Sequence, residues 1–175
     1  MQSYSTTKLL FNLGFLLDGT AGQSTSAELD YPGVLLDDLL LAPLQGYFRA
    51  SRSASGIYIS GEMSSQLPAT CARCNTTFDL PVTIPLDDHF YLPQYAPEGE
   101  FVVRDDGIVD IGALVREQAL LAFPIQPVCR PDCHGLCIEC GTNLNTTSCD
   151  CDTTPIDPRL SILARLLEEN REQGV

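Results

Sequence analysis

Tryptophan is absent from the 175 residues, lysine occurs once (Lys8), and histidine occurs twice (His89 and His134). The shortage of cations says most: ten basic residues, nine of them arginine, stand against 23 acidic ones, for a formal net charge of −13. A surface of that sign repels a phosphate backbone. It excludes nucleic-acid binding over the whole surface and restricts any RNA contact to a local arginine patch or a protein intermediary. No apolar run approaches the ~20 residues of a membrane helix. Lys8 followed by residues 9–17 faintly resembles a secretory leader, but Asn12 and Gly14 break the apolar stretch and no A-x-A-type cleavage site follows. A first β-strand is the expectation there, and the cytoplasm the expected compartment.

Catalytic signatures are also missing. The chain has no G-x-S-x-G elbow, phosphate-binding glycine loop or dinucleotide fingerprint. The adjacent carboxylates Asp87/Asp88 and Asp105/Asp106 read as solvated turns or strand ends, and His89 as a strand-end residue. The expectation is a protein that is no enzyme and has no small-molecule substrate.

What the chain does have is cysteine. Eight of them fall as four close pairs: Cys71/Cys74, Cys129/Cys133, Cys137/Cys140 and Cys149/Cys151. Structural zinc takes four ligands, so eight cysteines divide into two sites. Cys137 and Cys140 have the two-residue spacing of a knuckle, with Gly141 after them to relieve a tight turn. Cys149/Cys151 lies near enough along the chain to complete that site, leaving Cys129/Cys133 to join Cys71/Cys74. Spacing alone leaves other groupings open. Four thiolates also suit an iron–sulfur cluster, and disulfides are rare in a cytoplasmic setting. A redox role for Cys71/Cys74 would want a helix start to acidify a thiol, whereas this pair lies between strand patterns. Cys133-x3-Cys137-x2-Cys140 matches a spacing used by radical enzymes, but fewer than forty residues follow it, too few for the barrel such enzymes carry. His134 reads as a loop residue. Two closed all-thiolate zinc sites are the expected cofactors, and they would add about four further negative charges.

The chain reads as one domain over residues 1–175 of α+β class. Residues 1–95 are β-rich, forming an antiparallel sheet or partly open barrel, with strands at 43–51, along "GIYISGEM" and along "FDLPVTIPL". In the last of these Phe78, Leu80, Val82, Ile84 and Leu86 share one face. Pro81 and Pro85 share the other, which suits an edge strand. Residues 96–124 hold a loop and a helix with Asp110 as N-cap and Ile111, Leu114, Val115, Gln118, Leu121 and Ala122 on one stripe. Residues 125–155 form the cysteine loop, and residues 156–170 a last helix with Asp157 as N-cap, Pro158 at its first position, and Leu160, Leu163, Leu166 and Leu167 inward. The two helices thus flank the cysteine loop. No internal repeat is evident.

"CARCNTTFDLPV", "DIGALVREQALLAFPIQPVC", "CHGLCIECGTNLN", "CDC" and "IDPRLSILARLL", in that order, resemble the bacterial YceD family of large ribosomal RNA subunit accumulation proteins. The likeness spans about residues 40–170. It implies metal binding, nucleic-acid binding and a part in ribosome biogenesis, with large-subunit ribosomal RNA or ribosomal and assembly proteins as partners. Some members lack the C-terminal cysteines, and this chain has His134 where a lysine is common. Arg49, Arg52, Arg73 and Arg130 are the candidate RNA or partner contacts, with Arg159 a weaker addition; pairing with the abundant acids is the alternative role for all of them. A protein–protein adaptor that never touches RNA is the competing reading.

Overall fold

The computed structural model describes residues 8–151 of the chain. These divide into two compact units: residues 8–71 with 76–129, and residues 72–75 with 130–151.

The first unit is built on a four-stranded antiparallel sheet in the order β2, β5, β6, β7. Its strands are β2 (Ser24–Tyr31), β5 (Leu44–Arg52), β6 (Gly56–Thr70) and β7 (Thr77–Tyr91). Two small ribbons accompany it: β1 (Leu10–Asn12) with β8 (Ile108–Asp110), and β3 (Val34–Leu36) with β4 (Leu39–Leu41). The helices are a single turn, α1 (Gly14–Leu17), and α2 (Ile111–Ala122). The class is therefore α+β. The sheet is open, with β2 and β7 at its edges rather than paired to close a barrel.

Period-two alternation decides which face is buried. Along β6 the odd positions Ile57, Ile59, Met63, Leu67 and Ala69 point inward; along β7 the even positions Val82, Ile84, Leu86 and Phe90 do. Pro81 and Pro85 lie on the exposed face of β7, an outer strand, where a missing N–H breaks no ladder. Both strands run to 15 residues, longer than the sequence pattern suggests, because β6 continues through Pro68 to Thr70.

Two glycines let β5 and β6 approach closely. A Cβ on Gly61 would lie 2.3 Å from the Tyr47 carbonyl oxygen, and one on Gly46 would lie 2.3 Å from that of Glu62. Both have positive φ, 159° and 150°, a region closed to side-chain-bearing residues.

At the chain's start the expected strand is only β1, because Gly14 begins the helical turn whose Leu16 is buried. Asp110 caps α2 as expected, its carboxylate accepting from the Gly112 N–H at 3.0 Å. The buried stripe is rotated from the expected one: Ile111, Leu114, Val115 and Ala119 are buried, whereas Leu121 is 70% exposed. The i, i+4 ladder 111–115–119 is the side that packs, since α2 touches β7, β1 and β3. The helix expected at residues 156–170, and with it Arg159, lies outside the described residues.

Gly61→Ala should cost about 1–3 kcal/mol, the scale of forced backbone strain. Urea unfolding of this variant beside Ser60→Ala checks it; equal stabilities would refute the close-approach account.

Candidate metal centre

The hairpin of β6 and β7 ends in the turn Cys71-Ala-Arg-Cys74-Asn75-Thr76. The Cys71 N–H donates to the Thr76 carbonyl at 2.9 Å, while Asn75 takes φ of 55°, a left-handed conformation that asparagine tolerates. The same local structure recurs at Cys137-Ile-Glu-Cys140-Gly141-Thr142. There the Cys137 N–H donates to the Thr142 carbonyl at 2.8 Å and Gly141 has φ of 72°. The residue before each first cysteine also pairs with the residue seven further on, Thr70 with Thr77 and Leu136 with Asn143. The chain thus carries a short repeat, C-x-x-C-[NG]-T. Reading the cysteines as ligand pairs alone passes over it; the signal is the threonine five positions after each leading cysteine.

The eight sulfurs gather in two groups of four: Cys71, Cys74, Cys129 and Cys133; and Cys137, Cys140, Cys149 and Cys151. This is the partition expected from spacing. Within each group all sulfurs lie within 4.8 Å of one another. A tetrahedral ion with metal–sulfur bonds of about 2.3 Å places its sulfurs about 3.8 Å apart, so each group fits such an ion with small adjustments. Grouping in fours matches the coordination number of an ion, whereas disulfide bridging needs only pairs. Both groups therefore can hold a metal.

The surrounding donors suit thiolate ligands. The Thr142 hydroxyl lies 3.1 Å from Cys140 Sγ, and Thr142, through its side chain and backbone, holds that thiol down to about 6. Around Cys149 the Cys151 backbone favours the thiolate, but crowding by Cys137 and Cys140 together with burial outweighs it and raises the thiol's pKa. Cys151 is pushed up to about 12, first by Cys140 and then by burial. Four thiols this close cannot all ionise unless a cation compensates them. In the second unit, Asn145 Nδ2 donates to Cys133 Sγ at 3.4 Å and to Asn143 Oδ1 at 2.8 Å. Asn145 Oδ1 accepts from the His134 N–H at 2.9 Å and from Arg130 at 2.8 Å. Asn145 thereby orients a ligand from outside the donor set. It was not among the residues singled out by sequence.

The four candidate contact arginines are each engaged locally. Arg49, on the exposed face of β5, donates to Ser24 Oγ at 2.8 Å. Arg52 braces the β5–β6 turn, donating to the carbonyls of Ser53 and Gly56. Arg73 donates to the Cys133 carbonyl at 3.1 Å and lies 3.4 Å from that of Pro131, and its own carbonyl accepts from the Leu136 N–H. Gly135, at φ of 77°, leaves room for this approach, since a Cβ there would lie 3.2 Å from the Arg73 oxygen. Arg130 pairs with Asp132 at 3.4 Å. Arg73 thus reaches the residue next to Arg130, within the second unit. His89 is part of the first unit's bracing: its Nε2 lies 2.6 Å from Ser53 Oγ, and burial lowers its pKa although Asp88 opposes this. His134 is exposed and enters the hydrogen-bond network through its backbone.

An antiparallel sheet whose longest hairpin ends in one cysteine knuckle, followed beyond α2 by a second, defines a cysteine-rich α+β protein with two sulfur groups suited to metal. The chain belongs to the YceD family: the profile described as "Large ribosomal RNA subunit accumulation protein YceD" matches residues 59–167, more than half of its length. An uncharacterized protein of Mycobacterium tuberculosis is 30% identical over 125 residues, covering 68% of this chain and 59% of that protein. An uncharacterized protein of Mycobacterium leprae is 29% identical over 111 residues, covering 59% and 50% respectively. The chain therefore spans only half to three-fifths of the length of these relatives. A Zea mays protein named large ribosomal RNA subunit accumulation protein YCED homolog 1, chloroplastic, is 47% identical over 47 residues, covering 26% of this chain and 16% of its own. No solved structure matches the chain. Among the described residues no helix is long and apolar enough to cross a membrane.

Two outcomes test the site. Stripping metal with a chelator should abolish hydrogen-exchange protection across residues 130–151 while the amides of β5 and β6 stay protected; uniform loss would refute a locally metal-dependent fold. Asn145→Ala should weaken metal affinity by about 10–100-fold, the usual effect of removing an outer-shell partner. Competition against a chromogenic chelator measures it, and unchanged affinity would show that Asn145 does not support the ligand.

Proposed function

We propose that the chain is a non-catalytic factor in ribosome biogenesis, stabilised by two structural zinc ions and supporting accumulation or processing of large-subunit ribosomal RNA. The observation that carries the zinc reading is the composition of the two sulfur groups: four thiolates each, which fill a tetrahedral zinc and leave no position for a substrate. Soft thiolates favour zinc or iron, and a closed four-sulfur set around zinc stabilises a fold rather than catalysing a reaction. The ribosomal reading draws on family membership and on the names of the plant relatives. It puts the protein in a reducing compartment where ribosomes are assembled, the cytoplasm of a bacterial cell.

A second reading, that of an adaptor acting through proteins without touching RNA, is favoured by a specific observation. The net charge is −13, and Arg49, Arg52, Arg73 and Arg130 are each engaged with the protein's own oxygens. Among the described residues little cationic surface is left to hold a phosphate backbone.

Elemental analysis of protein purified without added metal should give two zinc per chain and no iron. Depletion in cells should lower large-subunit ribosomal RNA relative to small-subunit RNA. An unchanged ratio would overturn the ribosomal reading, and a coloured, iron-containing protein the zinc reading. In-cell crosslinking separates the two forms: RNA recovered on Arg73 or Arg130 supports direct contact, protein partners alone the adaptor.

A further inference from the structure

The solvent face of the four-stranded sheet is exposed in the first unit, and its chemistry is one-sided. The register sets Glu28 of β2 opposite Tyr47 of β5, and Tyr47 opposite Glu62 of β6, so an exposed ring stands in one row between two carboxylates. Tyr47 is 56% exposed. Asp30 lies in the next row, opposite Gln45. Arg49, on the same face, donates to Ser24 Oγ. None of the ion pairs among the described residues involves Glu28, Asp30 or Glu62. Among the described residues these acids are therefore not compensated by any cation.

The face is also grooved. A depression of about 380 Å³ is lined by residues that include Glu28, Asp30, Gln45 and Tyr47, and a second of about 440 Å³, sharing Gln45, by residues that include Pro43, Ser64, Gln66, Pro81 and Thr83. The two depressions together reach from β2 to β7. At about 4.8 Å between strands that is roughly 14 Å, the length of about four extended residues.

We propose that this face captures an extended, Lys/Arg-rich segment of an RNA-binding protein. A guanidinium or ammonium stacks on the Tyr47 ring while Glu28 and Glu62 neutralise it, and the grooves on either side take the segment's backbone. RNA itself is repelled by the same carboxylates. Proteins that contact RNA backbones carry such segments because they must neutralise phosphates. The assignment of the partner to an RNA-binding protein rests on the ribosome-biogenesis reading; capture of the segment does not.

The test is an NMR titration of the full metal-loaded chain with a synthetic peptide of alternating arginine and serine, run at two salt concentrations. Shifts should concentrate on β2, β5 and β6, and Glu28→Lys combined with Glu62→Lys should weaken binding by about tenfold or more. Glu98→Lys with Glu100→Lys changes net charge equally in the loop after β7 and serves as the control. It should weaken binding less than threefold, and thermal melting should show all variants folded. Equal weakening by both pairs would reduce the effect to overall charge and overturn the proposal. So would shifts mapping elsewhere, or a single-stranded RNA oligonucleotide binding this face. A failed rRNA-depletion experiment with intact peptide capture would remove the ribosomal reading while leaving the surface standing.

Discussion

What holds residues 130–151 together is not an apolar core. Leu136, Ile138 and Leu144 are their only larger aliphatic side chains, and none is buried; the buried positions are Cys133, Gly135 and Cys137. A segment this short, without an inward apolar face, cannot offset the conformational entropy of ordering its chain. In the second group crowding pushes Cys151 up to about 12 and raises Cys149, so without a cation these thiols stay protonated. A divalent cation in each group would let the thiols ionise together around a shared centre. Structural zinc contributes on the order of 10–16 kcal/mol in small domains, enough to stand where a core would. The Asn145 amide donates to Cys133 Sγ, and Thr142 beside Cys140 favours its thiolate, so both would support that interaction.

The first unit solves the same problem by ordinary means. Phe48, Ile59, Met63, Ile84 and Phe90 are fully buried on one face of the sheet, and α2, β1 and β8 accompany it. Two glycines bring the central strands closer than side chains would allow. One chain thus uses two kinds of cohesion, apolar burial where alternating Ile, Val, Leu and Phe permit it, and sulfur donors where the sequence turns to Cys, Asn, Thr and Gly.

That contrast explains what sequence made legible. Period-two alternation is clear along the middle of β6 and β7, so Ile57, Ile59 and Met63, and Val82, Ile84 and Leu86, could be placed on the buried face, as could Asp110 as a cap and the two cysteine quartets. The stripe of α2 was misplaced because Leu121 is as apolar as Leu114, and only packing against β7, β1 and β3 decides which is covered. The open sheet could not be told from a partly open barrel, because closure depends on pairing between β2 and β7, which lies in no local pattern. Asn145 was missed for a different reason. Its role is to donate to a sulfur twelve residues away, and an asparagine in a turn-rich segment looks like turn chemistry. The repeated threonine after each knuckle was a visible signal, but it becomes meaningful only once the Cys–Thr backbone bonds are seen.

The arginines carry the remaining functional weight. Placed on a chain of net charge −13, a lone arginine gains most from nearby oxygens, and each of the four does so differently: Arg49 to a serine hydroxyl, Arg52 to turn carbonyls, Arg73 to the Cys133 carbonyl, Arg130 to Asp132 and Asn145. Arg73 and Arg130 hold the same loop that carries the sulfurs, so they belong to the architecture of the sulfur groups whatever else they touch. Direct grip on RNA would have to detach them from that work or share them with it. Glu28, Asp30 and Glu62 of the sheet, in no ion pair among the described residues, face no such conflict. Under the proposed ribosomal role, the electrostatically more economical route from this surface to RNA runs through a cationic protein, because the charges that would repel a phosphate backbone are the ones that attract whatever is already bound to it.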